Sequence, residues 1–316
     1  MMESVRIDDA EYPLRLRNIP SPPEVLYYLG KLPSMERPAV SIVGSRGCSE
    51  YGRQMAALYG AYLATHGVDV ISGMAIGIDG EAQRAAIMAG GKSYGVLAGG
   101  ADICYPRSNR PLYESLQKNG GLIAEHPAGT KPLSVYFPSR NRIISGLSDL
   151  VLVIEAKERS GTGYTVRMAL EQGREVYAIP GRVTDALSCG CNRLIAEGAG
   201  VAESPEIVLG AARYAWELNR DAQYSGQNTE ERKNERRGLL IDNRVSTALK
   251  AGVAYEDLSP DEIRILQLLR EKERTADELA LQGGFDGMPH LLVILLGLER
   301  KGVIENCGGL YFSKVV

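Results

Sequence analysis

Short apolar runs alternate with amphipathic stretches between residues 39 and 212 of this 316-residue chain. The run Ala39–Val43 precedes residues 51–66, where apolar positions recur at helical spacing. The runs are nearly continuous in apolar residues, as strands buried on both faces should be. This alternation predicts βαβ units and an open, mostly parallel α/β sheet with helices on both faces. Further strands are predicted at residues 68–71, 93–97, 122–124, 150–154 and 175–179, and further helices at 80–89, 112–119 and 165–172.

The segments on either side of this core follow other patterns. Residues 1–38 are rich in Pro, which predicts an extended N-terminal lead-in that packs on the core. Residues 213–257 are predicted to be a polar linker, because residues 219–237 have mixed charge and almost no aliphatic side chains to bury. Residues 258–316 are predicted to form a small winged-helix-like domain. The main α/β domain is therefore expected at 39–212.

Helix starts and one turn support the C-terminal prediction. Ser259 is placed to cap a helix that begins at Pro260, and Thr275 and Glu278 have capping-box spacing. Gly308-Gly309 lies between two short segments and predicts a hairpin. A third helix is predicted at residues 288–301. It is mostly apolar and has almost no side chains that recognise base edges, so we favour core packing over sequence-specific DNA recognition.

Composition narrows the classes of protein that this chain can represent. Hydrophobic residues make up 44% and charged residues 24%, and the net charge is −3, so a nucleic-acid surface must be a local patch. The five Cys show no disulfide-framework or metal-site spacing. The N-terminus does not resemble a signal peptide, and no apolar run has the length of a membrane span. We expect a cytoplasmic protein with no membrane segment and no metal.

Gly-rich turns follow the first two predicted strands. Gly44, Ser45 and Arg46 stand between a strand and a helix, and Gly73 begins the next such turn. A helix N-terminus presents free N–H groups to a phosphate, and Arg46 adds a forked cationic donor. Both turns should lie at the sheet edge where open α/β folds bind ligands. A purely structural role for each glycine stays open. The GxGxxG fingerprint is absent, so no cofactor is predicted.

An aromatic residue stands close to two arginines at the entry to the helix before residue 150. Phe137 offers a face on which a base can stack, while Arg140 and Arg142 can pair with phosphates, with Asn141 between them. This combination suits single strands, whose bases are free to stack. Alternatively, the arginines are solvated surface residues. We favour binding, because the loops converge on one edge of the sheet.

A fourth loop follows the predicted strand 150–154 and consists of Arg159, Ser160, Gly161 and Thr162. Glycine and small hydroxyl residues allow a phosphate to approach the backbone, although the P-loop spacing and its Lys are absent. Residues 130–195 contain nine Lys and Arg against six Asp and Glu, whereas residues 258–316 contain seven against nine. The predicted nucleic-acid site therefore belongs to the α/β domain.

Together these segments resemble the DNA-processing protein A family, DprA, also called Smf. The resemblance covers about residues 10–205 and rests on the loops above, on residues 73–79, and on Tyr105-Pro106, Pro180-Gly181 and residues 190–195. It implies a Rossmann-like domain that binds single-stranded DNA without sequence specificity and forms a homodimer. It also implies loading of the RecA recombinase onto DNA during natural transformation and recombination. Gln83, where the family usually has His, and the loop 162–166 depart from the family pattern.

An enzyme of the same fold superfamily is the alternative. Residues 160–165 are similar to the Gly-rich signature of nucleotide phosphoribohydrolases, whose Glu acts in catalysis or ribose binding. No acid lies between Thr162 and Leu170 of this chain, so acid–base catalysis has no obvious agent there. Glu155 and Glu171 remain nearby in sequence. We expect a binding protein with no catalytic residues.

Overall fold

The computed structural model describes residues 2–158, 160–225, 259–271, 274–283, 291, 294, 295, 298, 304–307 and 310–313. The chain divides into two compact units, Met1–Gly226 and Gln227–Val316. Within the described parts of both units, no helix combines the length and apolar character needed to cross a membrane.

A nine-stranded sheet forms the centre of the first unit, in the order β1-β2-β6-β5-β4-β3-β7-β8-β9. β1 and β2 pair antiparallel with each other, and β2 pairs antiparallel with β6, while the remaining neighbours are parallel. The strands are β1 (Glu3–Arg6), β2 (Val25–Gly30), β3 (Ala39–Val43), β4 (Asp69–Ser72), β5 (Ser93–Gly100), β6 (Gly120–His126), β7 (Leu150–Val153), β8 (Glu175–Ala178) and β9 (Gly200–Val201).

Helices cover both faces of this sheet. They are α1 (Leu14–Arg17), α2 (Glu50–Thr65), α3 (Ile78–Met88), α4 (Arg110–Lys118), α5 (Tyr136–Gly146), α6 (Thr162–Glu171), α7 (Cys189–Ala196) and α8 (Pro205–Ser225). Successive strand residues point to opposite faces. Val151 therefore packs in a core with α1, α5, α6 and α7, and Leu152 in a second core with α2, α3 and α8.

The predicted fold class of this unit is confirmed. All six strands predicted from apolar runs are present, and the first, Ala39–Val43, has the predicted bounds. The predicted helices are also present, with small shifts at their ends. The apolar runs predicted these strands because they are buried on both faces, where hydrophobic patterning is strongest.

The N-terminal segment does more than pack on the core as an extended lead-in, because β1 and β2 continue the sheet. The side chain of Arg15 is buried and donates through Nε and Nη2 to both carboxylate oxygens of Asp149, at 2.8 and 2.9 Å. Arg15 also donates to the carbonyl oxygens of Ser34 and Arg37. One buried side chain thus joins α1, the segment before β3 and the start of β7.

Helix α8 passes the predicted domain boundary at residue 212 and reaches Ser225. The indole N–H of Trp216 donates to the Met35 carbonyl oxygen at 2.7 Å, and the Asn219 side-chain amide donates to Asp149. These contacts attach residues that we predict to be linker to the first unit. The rest of the predicted linker, through residue 257, lies outside the described residues.

The second unit has its own hydrophobic core. Its described elements are α9 (Pro260–Glu271), β10 (Arg274–Thr275), α10 (Ala276–Gly283), β11 (Ile304–Cys307) and β12 (Leu310–Ser313). The strands form an antiparallel sheet in the order β10-β12-β11, in which Cys307 is opposite Leu310, as the predicted hairpin requires. The winged-helix arrangement of the whole unit stays a prediction.

Both predicted helix caps of this unit are confirmed. The Glu262 N–H donates to Ser259 Oγ, and the Ser259 N–H donates to the Glu262 carboxylate. Thr275 and Glu278 make the same reciprocal pair of hydrogen bonds. Leu291, Leu295 and Leu298 are buried in the core, which agrees with core packing of this apolar segment.

Candidate nucleic-acid interface

A cleft opens where the chain reverses its winding direction across the sheet. β4 and β7 lie on either side of β3, so the connections that follow β3 and β7 leave to opposite sides. Open α/β folds have a crevice at the carboxyl ends of the strands at this point. Here the cleft has a volume of about 620 Å³ and is lined by the loops after β3, β4, β5 and β7 and by the start of α5.

Most of the predicted binding residues meet in this cleft, although they come from separate loops. Those that line it are Gly44, Ser45, Arg46, Phe137, Arg140, Asn141, Ser160, Gly161 and Thr162. Of the other predicted binding residues, Gly73 lies beneath the cleft, and the Arg142 side chain binds a residue outside the cleft. Arg159 lies outside the described residues.

The rim of the cleft combines one exposed cation with two aromatic rings. Arg46 is exposed, and its Cζ atom lies 5.4 Å from the centroid of the Phe137 ring. The Tyr105 ring packs edge-on against Phe137 at a centroid distance of 5.8 Å. No described carboxylate forms an ion pair with Arg46. This arrangement offers a stacking surface beside a cation that is available to a phosphate.

The floor of the cleft is formed by a buried arginine, not by a solvated one. Arg140 donates through Nη1 to the carbonyl oxygens of Gly73 and Val96, and through Nε to Asn141 Oδ1. Burial lowers the pKa of Arg140 to about 10, while the nearby charge of Asp79 opposes this shift. Arg140 therefore remains charged at neutral pH, but much of its donor capacity is already used inside the protein.

Gly73 does not offer its backbone to a ligand as expected. Its N–H donates to Asp79 Oδ2 at 3.2 Å and its carbonyl accepts from Arg140. A Cβ at this position would overlap the Arg140 guanidinium. Burial also raises the pKa of Asp79, against the opposing effect of Arg140. The glycine is required for close packing beneath the floor.

The N-terminus of α2 is likewise not the open phosphate site that the sequence predicted. Ser49 is its N-cap, and Ser49 Oγ accepts a hydrogen bond from the Gly52 N–H at 3.0 Å. The Ser49 N–H donates to Glu155 Oε2 at 2.9 Å, and the Ser49 hydroxyl donates to Glu155 Oε1. A carboxylate of the protein therefore already occupies this helix end, where it interacts favourably with the helix dipole.

One wall of the cleft is built by the connection from β7 into α6. Ser160, Gly161 and Thr162 line the cleft, and Gly161 is the N-cap of α6. No acidic residue lies in the first turn of α6, and no side chain in the described structure caps it. Lys157 and Tyr164, both exposed, complete this wall. The positive end of the α6 dipole thus lies beside the cleft.

Arg142, two residues after Arg140, lies away from the cleft. Its Nη2 donates to the Glu125 carboxylate, and its backbone carbonyl accepts from Gln172. Its side chain is only 16% exposed. The expectation that Arg142 pairs with phosphates is therefore not supported, because the side chain already has an anionic partner at the end of β6.

Among the cleft residues that sequence reasoning did not include are four with charged or aromatic side chains: Asp79, Tyr105, Lys157 and Tyr164. Tyr105 follows the double glycine that ends β5, Lys157 belongs to the loop after β7, and Tyr164 lies in the first turn of α6. A usable signal was their position, because cationic and aromatic residues just after parallel strands should meet at the same sheet edge.

The two places where the sequence departs from the family pattern lie in different parts of the structure. Gln83 is fully buried in α3 and donates to the Tyr94 carbonyl oxygen at 2.9 Å and to Ser93 Oγ. It fills a place in the core and does not line the cleft. By contrast, Thr162, Tyr164 and Thr165 of the second departure do line it. Only the second departure changes the surface that a ligand would contact.

The carboxylates named for the enzyme alternative are engaged elsewhere. Glu155 is buried against Ser49, and Glu171 pairs with Arg167 on the exposed side of α6. Of the described residues that line the cleft, Asp79 is the acidic one, and it lies in the floor beside Arg140. A carboxylate held between structural partners has little freedom to exchange protons with a substrate.

Comparisons with known proteins agree with this architecture. The sequence model of the family described as DNA recombination-mediator protein A matches residues 3–213. DNA processing protein DprA of Bacillus subtilis (strain 168) is 41% identical over 209 residues, which are 66% of this chain and 70% of that protein. The X-ray structure of DNA processing protein A from Streptococcus pneumoniae is similar with a TM-score of 0.63 at 41% identity, covering 66% of this chain and 74% of that one.

A second solved structure is similar over the same part of the chain. DNA processing protein A from Helicobacter pylori, described for its unique single-stranded DNA binding mode, matches with a TM-score of 0.60 at 25% identity. The match covers 66% of this chain and 94% of that one.

Proposed function

This chain belongs to the DNA recombination-mediator protein A family, DprA/Smf, and from that premise we propose that its cleft binds single-stranded DNA without sequence specificity. The observation that carries the proposal is the rim, where the Phe137 ring contacts both the Tyr105 ring and the exposed Arg46. Aromatic rings stack on any base, and a neighbouring cation pairs with the backbone phosphate. The relative from Helicobacter pylori, whose single-stranded DNA binding mode has been described, supports the same ligand.

The charges of the cleft favour a polyanion. Among the described residues that line it, Arg46, Arg140 and Lys157 are cationic, and Asp79 is acidic. The N-terminus of α6 adds the positive end of a helix dipole. A local positive site of this kind attracts nucleic acid even though the whole chain has a net charge of −3. In this proposal the cleft binds DNA and does not transform it.

The test is a binding titration with a labelled single strand and a duplex of matched length. We expect tighter binding of the single strand, because its bases are free to stack on Phe137. Affinity should fall as salt rises, since phosphate contacts release counterions. Equal affinity for both forms, or no salt dependence, would contradict the proposal. Turnover of a nucleotide instead of binding would favour the enzyme alternative.

A matched control is available at the opposite end of the sheet. Arg213 is exposed on α8 and donates to the carbonyl oxygen of His66, which follows α2. This residue lies at the amino edge of the sheet, far from the cleft. Arg213→Ala removes the same charge as Arg46→Ala and should leave affinity unchanged. Similar losses from both variants would indicate a diffuse electrostatic effect.

A wider role is a further proposal, which rests on the resemblance to the family. We propose that the protein acts in the cytoplasm as a homodimer and assists loading of the RecA recombinase onto single-stranded DNA during natural transformation and recombination. The test is whether the purified protein accelerates RecA assembly on a single strand. Analytical ultracentrifugation tests whether the protein is a dimer in solution. If the protein binds DNA but does not accelerate RecA assembly, its function is limited to DNA binding.

We also propose that the DNA site resides in the first unit. A fragment of residues 1–225, which includes all of α8, should retain most of the affinity for single strands. Residues 258–316, which we propose to be a winged-helix domain, should bind DNA weakly because acids outnumber bases there. Equal affinity of the C-terminal fragment and the whole chain would place the site elsewhere.

A further inference from the structure

The loop that carries Arg46 is held by the segments that follow β7 and β4, the strands on either side of β3. The Ser45 N–H donates to the backbone carbonyl of Glu155 at 2.8 Å, just after β7. The Ser45 carbonyl accepts from the Ile78 N–H at 3.3 Å, at the start of α3. The start of the loop is therefore fixed from two directions, one residue before Arg46.

The end of the same loop is fixed by the Glu155 side chain. Both carboxylate oxygens are engaged, one by the Ser49 N–H and the other by the Ser49 hydroxyl. Glu155 is only 3% exposed and does not line the cleft. One residue thus holds both ends of residues 45–49, Ser45 through its backbone and Ser49 through its carboxylate.

Two glycines allow the surrounding chain to come this close. A Cβ at Gly52 would overlap the Glu155 carboxylate, so any larger residue there would displace it. Gly77 has a φ of +78°, and a Cβ there would overlap the Ser45 carbonyl oxygen. The loop is therefore packed on both sides, with Arg46 directed to the Phe137 ring.

We propose that Glu155 is a positioning residue for DNA binding, which fixes residues 45–49 so that Arg46 is held over Phe137 before DNA arrives. A preorganised cation loses less conformational entropy on binding than a mobile one. The inference rests on the proposed function of the cleft, because it assigns a role to a residue that does not itself contact DNA. It also explains why a buried carboxylate lies behind a cationic surface.

Two variants weaken this connection while leaving every residue that lines the cleft in place. Ser49→Ala removes the hydroxyl that donates to Glu155 and accepts from Gly52. Glu155→Gln keeps the size of the side chain, but its single oxygen cannot accept from both Ser49 donors in the present geometry. Ser49→Thr retains the hydroxyl and serves as the conservative rescue. Ser115→Ala, on the exposed side of α4, is a matched serine control.

The experiment measures single-strand affinity against salt for the full chain, at a temperature where circular dichroism shows every variant folded. We expect Ser49→Ala and Glu155→Gln to weaken binding by roughly twofold to fivefold, a part of the loss from Arg46→Ala. Their salt dependence should become shallower, toward that of Arg46→Ala, because one phosphate contact is made less often. Ser49→Thr and Ser115→Ala should bind as the wild type does.

A double-mutant cycle separates positioning from general stabilisation. If Glu155 and Ser49 act through Arg46, adding Ser49→Ala to Arg46→Ala should cost no further affinity. An equal loss in both backgrounds, or wild-type affinity and salt dependence in folded Ser49→Ala and Glu155→Gln, would overturn the inference. If Arg46→Ala itself binds as the wild type does, the proposed role of Arg46 fails first, and the positioning role fails with it.

Discussion

The loop after β3 and helix α5 both carry arginines that the sequence offers for phosphate binding, but of these two segments the loop alone leaves its arginine available to a ligand. Arg46 stands in the loop after β3, exposed and next to an aromatic ring. Arg140 and Arg142 on α5 are largely buried, and they bind backbone carbonyls and the Glu125 carboxylate. The sequence presents all three as candidates for phosphate binding. Burial distinguishes a cation that supports the site from one that can contact DNA.

The difference arises from the elements that carry the residues. A helix that packs on the sheet directs part of its surface into the core, so α5 buries Arg140 beneath the cleft. The loop after β3 has no such face, and its backbone makes the fixing contacts while the side chain of Arg46 remains outside. We expect variants of the α5 arginines to change folding and variants of Arg46 to change binding.

The largest effect is expected from Arg140→Ala. This variant leaves the buried carbonyls of Gly73 and Val96 without their donor and removes the cation beside Asp79. We expect the free energy of unfolding to fall by about 3–5 kcal/mol, measured by urea denaturation. Arg46→Ala in the same assay should be nearly neutral. A stable Arg140→Ala protein that loses only DNA affinity would reverse the assignment of the two arginines.

Arg46→Glu should give the next largest effect, on binding alone. It places a negative charge where a phosphate is expected, so affinity should fall on the order of a hundredfold, against about tenfold for Arg46→Ala. Arg46→Ala should also make the salt dependence shallower by about one contact. Titrations at several salt concentrations check both expectations. Equal losses from the two variants would mean that no phosphate approaches Arg46.

Phe137→Ala tests the aromatic half of the rim. The loss of a stacking surface should cost about 1–3 kcal/mol of binding free energy, and the salt dependence should stay nearly unchanged because stacking releases no counterions. Phe137→Tyr keeps a ring and should retain most of the affinity. If Phe137→Ala unfolds the protein, the ring belongs to the core and the interpretation of the rim fails.

Much of the fold was predictable because strands buried on both faces have a strong pattern. Ala39–Val43 and its neighbours are almost wholly apolar, and helices with one apolar face separate them. β1 and β2 were not predicted, because these two antiparallel strands are less uniformly buried than the parallel ones and prolines stand between them. Helix α8 was not predicted, and its residues after 212 were assigned to a linker, because its attachment depends on Trp216 and Asn219 reaching distant residues.

The location of the site was predictable from the sequence, but the roles of its residues were not. Loop position after parallel strands brought Gly44, Phe137 and Ser160 to one cleft. Whether an arginine is free, however, depends on partners that are remote in sequence. Arg142 meets Glu125 across 17 positions, and Ser49 meets Glu155 across 106. Such pairings follow from strand order, which local patterns do not specify.

The smallest effect is expected from Arg142→Ala. The side chain is 16% exposed and its partner Glu125 is 28% exposed, so the pair is partly shielded from solvent but lies outside the cleft. We expect the free energy of unfolding to fall by about 1–2 kcal/mol, because Glu125 loses a charged donor. Single-strand affinity should stay within about twofold of the wild type, since at most a small change in long-range potential remains.

Glu125→Gln provides the matched variant for Arg142. If the two side chains stabilise the fold through each other, the double variant should cost less than the sum of the single variants in urea denaturation. DNA affinity should be the same in all three proteins. A large loss of affinity in a fully stable Arg142→Ala protein would show that Arg142 leaves Glu125 to contact DNA. The division between a supporting α5 and a binding loop after β3 would then no longer hold, because the same side chain would serve both purposes.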